Sequence, residues 1–238
     1  MVSIKKILLG SVLSTALLST LSLQTASADE VDADPWEGFN RAVFSFNDTL
    51  DRYALKPLAQ GYQAVTPDFV ETGVGNFFGN LSDVGSIANN LLQGKGDAAG
   101  QDLARVVFNS TIGLAGLIDV ATPMGLPEHD EDFGQTLGYW GLSSGPYLVL
   151  PLLGPSSVRD GIGLIPDSLL DPVGEVDHVR TRNALYATRI IDTRAELLAA
   201  EHLLNGDRYS ALRDAYLQRR AFLVNDGEVK ANFDDDQF

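Results

Sequence analysis

The chain has 238 residues, with 17 basic against 32 acidic side chains, a net charge of −15 and no cysteine. Without cysteine there is no disulfide, no thiolate metal site and no residue to carry a lipoprotein-type acyl anchor. So acidic a balance excludes nucleic acid, whose affinity comes from basic groups on phosphates, and excludes docking by simple attraction to anionic lipid heads.

The first residues have the form of an export signal: Lys5 and Lys6, a mostly apolar run from Ile7 to Leu23, and an Ala26-Ser27-Ala28 cleavage pattern. Cleavage removes residues 1–28, and the loss of Lys5 and Lys6 moves the charge from −15 to −17. About 210 residues remain, enough for one domain with a sizeable core.

Asp34-Pro35-Trp36-Glu37 has the chemistry of a helix start, with Asp34 as N-cap and proline in the first position. Trp36, Phe39, Val43, Phe46, Leu50 and Tyr53 fall three or four apart and form one apolar face. Phe44 lies off that stripe, and Lys56-Pro57 ends or kinks the helix. A second helix opens at Thr66-Pro67-Asp68. Its Gly73, Gly75 and Gly79 point to close backbone packing rather than a dinucleotide fingerprint, since no strand precedes them.

A short helix from Val84 to Gln93 ends at Gly94, and Asp97 caps a longer one over Ala98–Asn109. From Ser110 to Ala121 only Asp119 is charged, which predicts a helix apolar on every side, buried or facing lipid. It is shorter than the roughly 20 residues of a span, so it reads as re-entrant or interfacial. Phe133 to Asp160 is rich in glycine and then aliphatic from Tyr147 to Leu153. It is too broken to span a bilayer and too apolar for an ordinary surface loop. Gly161 to Val176 reads as loose, interrupted by Pro166 and Pro172. Two helices close the chain, Arg182–Leu204 and one capped by Asp207 that ends at Asn225-Asp226-Gly227. A solvated Asp234-Asp235-Asp236 tail follows, and nothing reads as a sheet.

Two constellations invite a chemical reading. Gly141-Leu142-Ser143-Ser144-Gly145 fits the G-x-S-x-G elbow of esterases, which makes an exported esterase using Ser143 or Ser144 the alternative function. The elbow needs a strand before the serine and a helix after it, and neither is expected here. His129 with Asp130, Glu131 and Asp132 has neither the second, well-spaced histidine of a transition-metal site nor the alternating ligands of a calcium loop. It reads as a solvated acidic loop, with no metal and no cofactor.

Several blocks in one order, DPWEGFNRAVFSFN, GNFFGNL, FNSTIGLAGLIDVA and FGQTLGYWGLSSGPYLVLPLLGPSSVRD, resemble the MlaA/VacJ family of bacterial outer-membrane proteins, from about Asp34 to Gly227. The resemblance implies an all-α fold, a ring-like assembly of amphipathic helices embedded in one membrane leaflet, the inner leaflet of the outer membrane. It implies no reaction: phospholipid misplaced in the outer leaflet passes through an amphipathic pore to a periplasmic carrier of the MlaC type, which maintains lipid asymmetry. It also implies an outer-membrane porin as neighbour. Phe44, Phe46 and Asn47 match the family's aromatic segment near the pore, although Asp48 stands where a second phenylalanine is usual. Gly138, Gly141 and Gly145 lie in the matching glycine-rich segment that shapes the pore, and Tyr147 and Leu150 in the aliphatic part that follows it.

The expected organisation is therefore a cleaved signal peptide at 1–28, a helical domain at 29–227 and an acidic tail at 228–238. The expected location is the periplasmic side of the outer membrane. With no lipoprotein cysteine, attachment falls to apolar surface, a porin, or both.

Overall fold

The computed structural model describes residues 34–203 and 206–228; the expected signal peptide and nearly all of the expected tail lie outside the described residues. Helix α1 (Glu37–Leu50) runs into a π-helical turn (Asp51–Leu55) and on into α2 (Lys56–Val65). Then come α3 (Asp68–Leu92), α4 (Gly96–Thr111), α5 (Phe133–Tyr139) and a two-stranded hairpin of β1 (Tyr147–Leu150) and β2 (Gly154–Ser157). Helices α6 (Val158–Leu170), α7 (Val179–Glu196) and α8 (Arg208–Val224) complete the order. The fold is mostly helical, as expected.

Several local expectations fail for identifiable reasons. Asp34 does not cap α1. It is buried, and its carboxylate takes hydrogen bonds from Asn40 Nδ2 (2.7 Å) and the Tyr209 hydroxyl instead. Lys56-Pro57 does not end the first helix. The π-turn inserts a residue so that the Lys56 N–H reaches Asp51 O, and Pro57 enters α2 in its first turn, where a missing N–H costs little. The chain from Asp68 to Leu92 is one helix rather than two, and it stops where Gly94 adopts φ +76°.

The stretch after α4 is a folded loop, not an apolar helix. Asn109 Oδ1 accepts from the N–H groups of Val120 (2.8 Å) and Ala121 (3.0 Å), and Asp119 Oδ1 accepts from those of Ala121 and Thr122 (3.1 Å each). Polar side chains thus take the backbone donors a helix would use. Leu114 and Ala115 turn the chain with φ of 55° and 60°, and Ile112, Leu114, Leu117 and Ile118 point outward.

Of the stretch Gly161 to Val176, expected to be loose, residues 161–170 are helical and belong to α6. Ser157 caps this helix by accepting from the Asp160 N–H at 3.1 Å, and Pro166 is carried inside it. The Tyr147–Leu153 run forms the hairpin, antiparallel with Tyr147 opposite Ser157 and Leu150 opposite Gly154.

Burial is the reverse of the usual pattern, in which charged and amide side chains stay at the surface. Among the described residues, buried polar side chains outnumber buried apolar ones. The facing sides of α3 and α4 bury Asn80, Asp83, Asn90, Asp102, Arg105 and Asn109, while Asn89 is buried against α5 and α6. Phe46, Tyr53, Val65, Phe69, Leu91 and Leu103 are exposed. The compact apolar cluster, Tyr147, Val149 and Tyr209 with Val43, Phe44, Tyr216 and Leu217 against it, joins the hairpin to α1 and α8. No helix among the described residues is long and apolar enough to cross a membrane.

Candidate functional site

The hairpin would present a bare edge of backbone groups were it not for two asparagines of α1, seven residues and about two turns apart. Asn40 Nδ2 donates to Tyr147 O (3.0 Å) while its Oδ1 accepts from Val149 N–H (2.9 Å). Asn47 repeats the pattern further along, Nδ2 to Leu150 O and Leu152 N–H to Oδ1, each at 2.9 Å. The two amides behave as a piece of neighbouring strand. The hairpin tip, with Leu152 at 67% and Leu153 at 70% exposure, is thereby held out from the body.

Beside this clamp lies a groove of about 500 Å³ formed by α1, the π-turn, the hairpin tip, α7 and α8. Phe44, Leu55, Val149, Leu152, Leu153, Ile190, Leu197 and Leu212 make most of its wall apolar, and Asp48, Asp51, Arg189, Arg194 and Arg208 add a charged strip. The strip is internally paired. Arg194 forks onto Asp51 at 2.6 and 2.9 Å and reaches Glu201 at 3.2 Å, while Arg208 meets Asp48 at 2.6 Å and Lys56 meets Glu201 at 3.1 Å. Burial raises the Glu201 carboxyl, but Lys56 and Arg194 outweigh it and hold the group below its ordinary range. The groove therefore offers continuous greasy wall with ionised groups fixed along one side.

Arg189 and Thr193 of α7 are shared with a second cavity of about 550 Å³, which α3 lines with Gly75, Phe78, Gly79 and Ser82. There the polar groups dominate: Glu128, Asp130, Asp192 and Glu196 line it together with Arg189. Arg189 is held by both oxygens of Asp171 at 3.0 Å and sits 5.3 Å from the Phe78 ring centroid. An apolar cavity and a polar one thus share a wall at a single arginine.

The sequence-expected residues fall in different places. Phe44 and Asn47 line the groove, and Phe44 also meets Tyr209 edge-on at 5.6 Å between centroids. Phe46 is 56% exposed on the outside of α1. Tyr147 is buried at 1% in the apolar cluster, and Leu150 lines a smaller cavity of about 260 Å³ with Asp160 and Arg220. Gly138 is packed so closely that an added Cβ would stand 2.8 Å from Arg159 Nη1 and from Val224 Cγ1. Gly141 and Gly145 lie in the open segment after α5 with φ of +92° and +67°. The groove's arginines and Asn40 were not singled out in the sequence. Only the Asn40–Asn47 spacing could have signalled the clamp.

Ser143 and Ser144 sit between α5 and β1, so the order is helix, loop, strand, the reverse of an esterase elbow. His129 and His178 are engaged elsewhere, with Asp102 at 2.9 Å and Thr181 at 2.8 Å. The acidic loop is also not simply solvated. Glu131 pairs with Lys95 at 3.0 Å, and Arg220 forks onto Asp132 at 2.5 and 2.9 Å while holding Asp160 at 2.9 Å. Burial raises the Asp132 carboxyl, yet Arg220 and the Gln135 N–H outweigh it and keep the group below its usual range. The loop is a latch that ties α4 to α8.

A sequence model of the family described as MlaA lipoprotein matches residues 32–223. The chain belongs to the MlaA family. The intermembrane phospholipid transport system lipoprotein MlaA of Shigella flexneri is 35% identical over 83% of this chain and 81% of its own length. The Escherichia coli K12 protein of the same description is 34% identical over the same shares. A solved structure from work described as "Structural basis for maintenance of bacterial outer membrane lipid asymmetry" superposes with a TM-score of 0.71 at 35% identity, covering 81% of this chain and 99% of that one. These relatives are described as lipoproteins of the MlaA kind, whereas the present sequence contains no cysteine.

Proposed function

We propose that this MlaA-family chain is the outer-membrane component of a phospholipid trafficking system, one that removes misplaced phospholipid from the outer leaflet through an amphipathic passage and hands it to a periplasmic carrier. The observation that carries the reading is the inverted burial together with the groove. Apolar side chains turned outward suit a helical body embedded in one leaflet, and a largely apolar groove with a fixed ionic strip suits acyl chains travelling with a polar head. The reading includes an export signal over 1–28, a domain over 29–227 and a short acidic tail over 228–238. Within it the inner leaflet of the outer membrane, a porin and an MlaC-type carrier are the partners, and the helices close into a ring around the passage.

Phe44 serves this passage as wall, and Asn47 as wall and as clamp on the hairpin. Leu152 and Leu153 at the hairpin tip join them, while Phe46 contacts lipid from outside. Gly138, Gly141, Gly145, Tyr147 and Leu150 hold the hairpin and its lead-in in shape. No ester-cleaving step enters the reading, since a conduit needs no nucleophile.

Two measurements test it. The protein isolated from membranes should carry phospholipid detectable by mass spectrometry and should fractionate with the outer membrane. A strain lacking it should accumulate phospholipid in the outer leaflet and lose detergent resistance. Unchanged asymmetry in that strain, with lipid-free purified protein, would overturn the proposal.

A further inference from the structure

The loop after α4 is built in a way that a loop in water does not require. Ile112, Leu114, Leu117 and Ile118 are 63, 64, 46 and 49% exposed, and no side chain from Ile112 to Ile118 is polar. The backbone beneath them is fixed. Leu114 and Ala115 take φ of 55° and 60°, a region that L side chains seldom adopt. A Cβ on Gly113 would stand 2.1 Å from Ile118 O, and one on Gly116 2.9 Å from Asn80 Nδ2, so the turn closes on itself and on α3. Asn76 Nδ2 also donates to Leu117 O at 3.3 Å. A rigid frame thus presents the four aliphatic side chains outward.

The polar groups of the loop are turned to one another. Every N–H from Ile112 to Thr122, apart from those of Leu114 and Asp119, has an acceptor within the protein. Gly116 reaches Asn109 O at 2.8 Å and Ile118 reaches Gly113 O at 2.9 Å, while the side chains of Asn109 and Asp119 take those of Val120, Ala121 and Thr122. The single charge, Asp119, accepts in addition from Asn109 Nδ2 at 3.2 Å and from the Thr122 hydroxyl, and Arg105 stands 3.8 Å away. Water would satisfy such groups without this arrangement, whereas hydrocarbon offers them nothing. A protein surface is a poorer match, because interfaces between proteins carry hydrogen bonds and the Ile112–Ile118 run has no side chain to make one. On a chain of net charge −15, an uncharged projection is also the part that can pass anionic head groups without repulsion.

We propose that the Ile112–Ile118 loop is the principal membrane anchor of this chain, inserted among the acyl chains of the leaflet. It takes over the task of the acyl chain that a lipoprotein carries and that a chain without cysteine lacks. The proposal rests on the outer-membrane reading above and names what holds the protein there.

Since the chain has no cysteine, Leu114→Cys and Asp214→Cys each create one attachment point for an environment-sensitive fluorophore. The two labelled full chains are reconstituted into vesicles of ethanolamine and glycerol phospholipid, with or without bromine on the acyl chains. The label at position 114 is expected to be quenched by the bromines and shielded from aqueous iodide. The label at position 214, in place of an exposed carboxylate on α8, is expected to show the reverse. In cells, Leu114→Asp combined with Leu117→Asp should raise the ratio of released to membrane-bound protein about tenfold or more, since hydrocarbon penalises a charge heavily. Circular dichroism of the released protein checks its fold. A label at position 114 that iodide reaches and bromine does not overturns the anchor, and lipid still bound to the purified protein would leave the conduit standing. Equal bromine quenching at both positions, or wild-type fractionation of the folded double variant, overturns it as well. Release of that variant without bromine quenching at position 114 would assign the loop to a protein partner instead. Wild type absent from the outer-membrane fraction overturns both readings.

Discussion

The seam between α3 and α4 and the cluster beneath the hairpin are two cores of opposite chemistry in one small protein. The seam is built of amides and charges. Asn90 Nδ2 donates to Asp102 at 2.9 Å, and Arg105 donates to Asp83 at 3.3 Å, to Thr122 Oγ1 at 3.0 Å and to Leu126 O at 2.9 Å. The hairpin cluster is built of Tyr147, Val149, Tyr209 and Phe44, with aromatic rings edge-on to one another. In the proposed leaflet-embedded setting, a helix pair whose outer faces meet lipid gains nothing by turning further apolar groups inward, because lipid is as apolar as leucine. Hydrogen bonds between the helices do the holding instead. The hairpin end relies on ordinary apolar burial.

Substitutions can break this contrast at either end. The largest effect is expected at Arg105: Arg105→Met leaves the buried Asp83 charge without its partner, and should cost about 3–5 kcal/mol at neutral pH. Equilibrium unfolding in detergent, followed by circular dichroism, measures it; a loss below about 1 kcal/mol would mean that the seam is not electrostatically held. At the other end, Asn40→Ala leaves the Tyr147 carbonyl and Val149 N–H unpaired in the interior. It should cost about 1–3 kcal/mol for each group orphaned, measured the same way.

A pH titration sharpens the comparison further. Burial pushes the Asp83 carboxyl up to about 6, despite Arg105, and the Asp167 carboxyl likewise to about 6. Both fold with a pKa above the unfolded value, so their contribution is full at low pH and is lost as pH rises through about 6. The unfolding midpoint should therefore rise between pH 7 and pH 5, and Asp83→Asn should flatten the part that the seam contributes. A midpoint that falls steadily over this window contradicts the assignment. The smallest effect on stability, within about 0.5 kcal/mol, is expected for Phe46→Asp on the outer face of α1. Its consequence should appear in fractionation, as protein released from the membrane; full retention would remove Phe46 from the lipid-facing surface.

The sequence carried some of these features plainly and hid others. Asp207 caps α8 as its position suggested, accepting from the Tyr209 N–H at 3.2 Å, and Gly94 ends α3. Such signals are local, and local chemistry decides them. The Ser110–Ala121 stretch is a loop where its composition predicts a helix, because apolar composition cannot distinguish the two once Asn109 and Asp119 capture the backbone. The Val158–Leu170 helix was hidden by Pro166, whose cost is absorbed within the folded context. The groove was invisible for a different reason. Arg189, Arg194 and Arg208 reach it from helices far along the chain from Phe44 and Asn47, and no spacing in a linear sequence records that meeting.

The π-turn at Asp51–Leu55 sets the phase of everything downstream on its helix. One residue more than an α-helix needs rotates α2 by about 100° relative to α1. This rotation is what lets Tyr62 point at Asp192 while Leu58 and Val65 face outward. Deleting one residue there would restore an unbroken α-helix and keep composition, charge and length almost unchanged. It would nevertheless turn the exposed apolar stripe of α2 toward α7 and carry Tyr62 away from its carboxylate. The segment is thus intolerant of indels in a way that substitution scanning alone would never reveal.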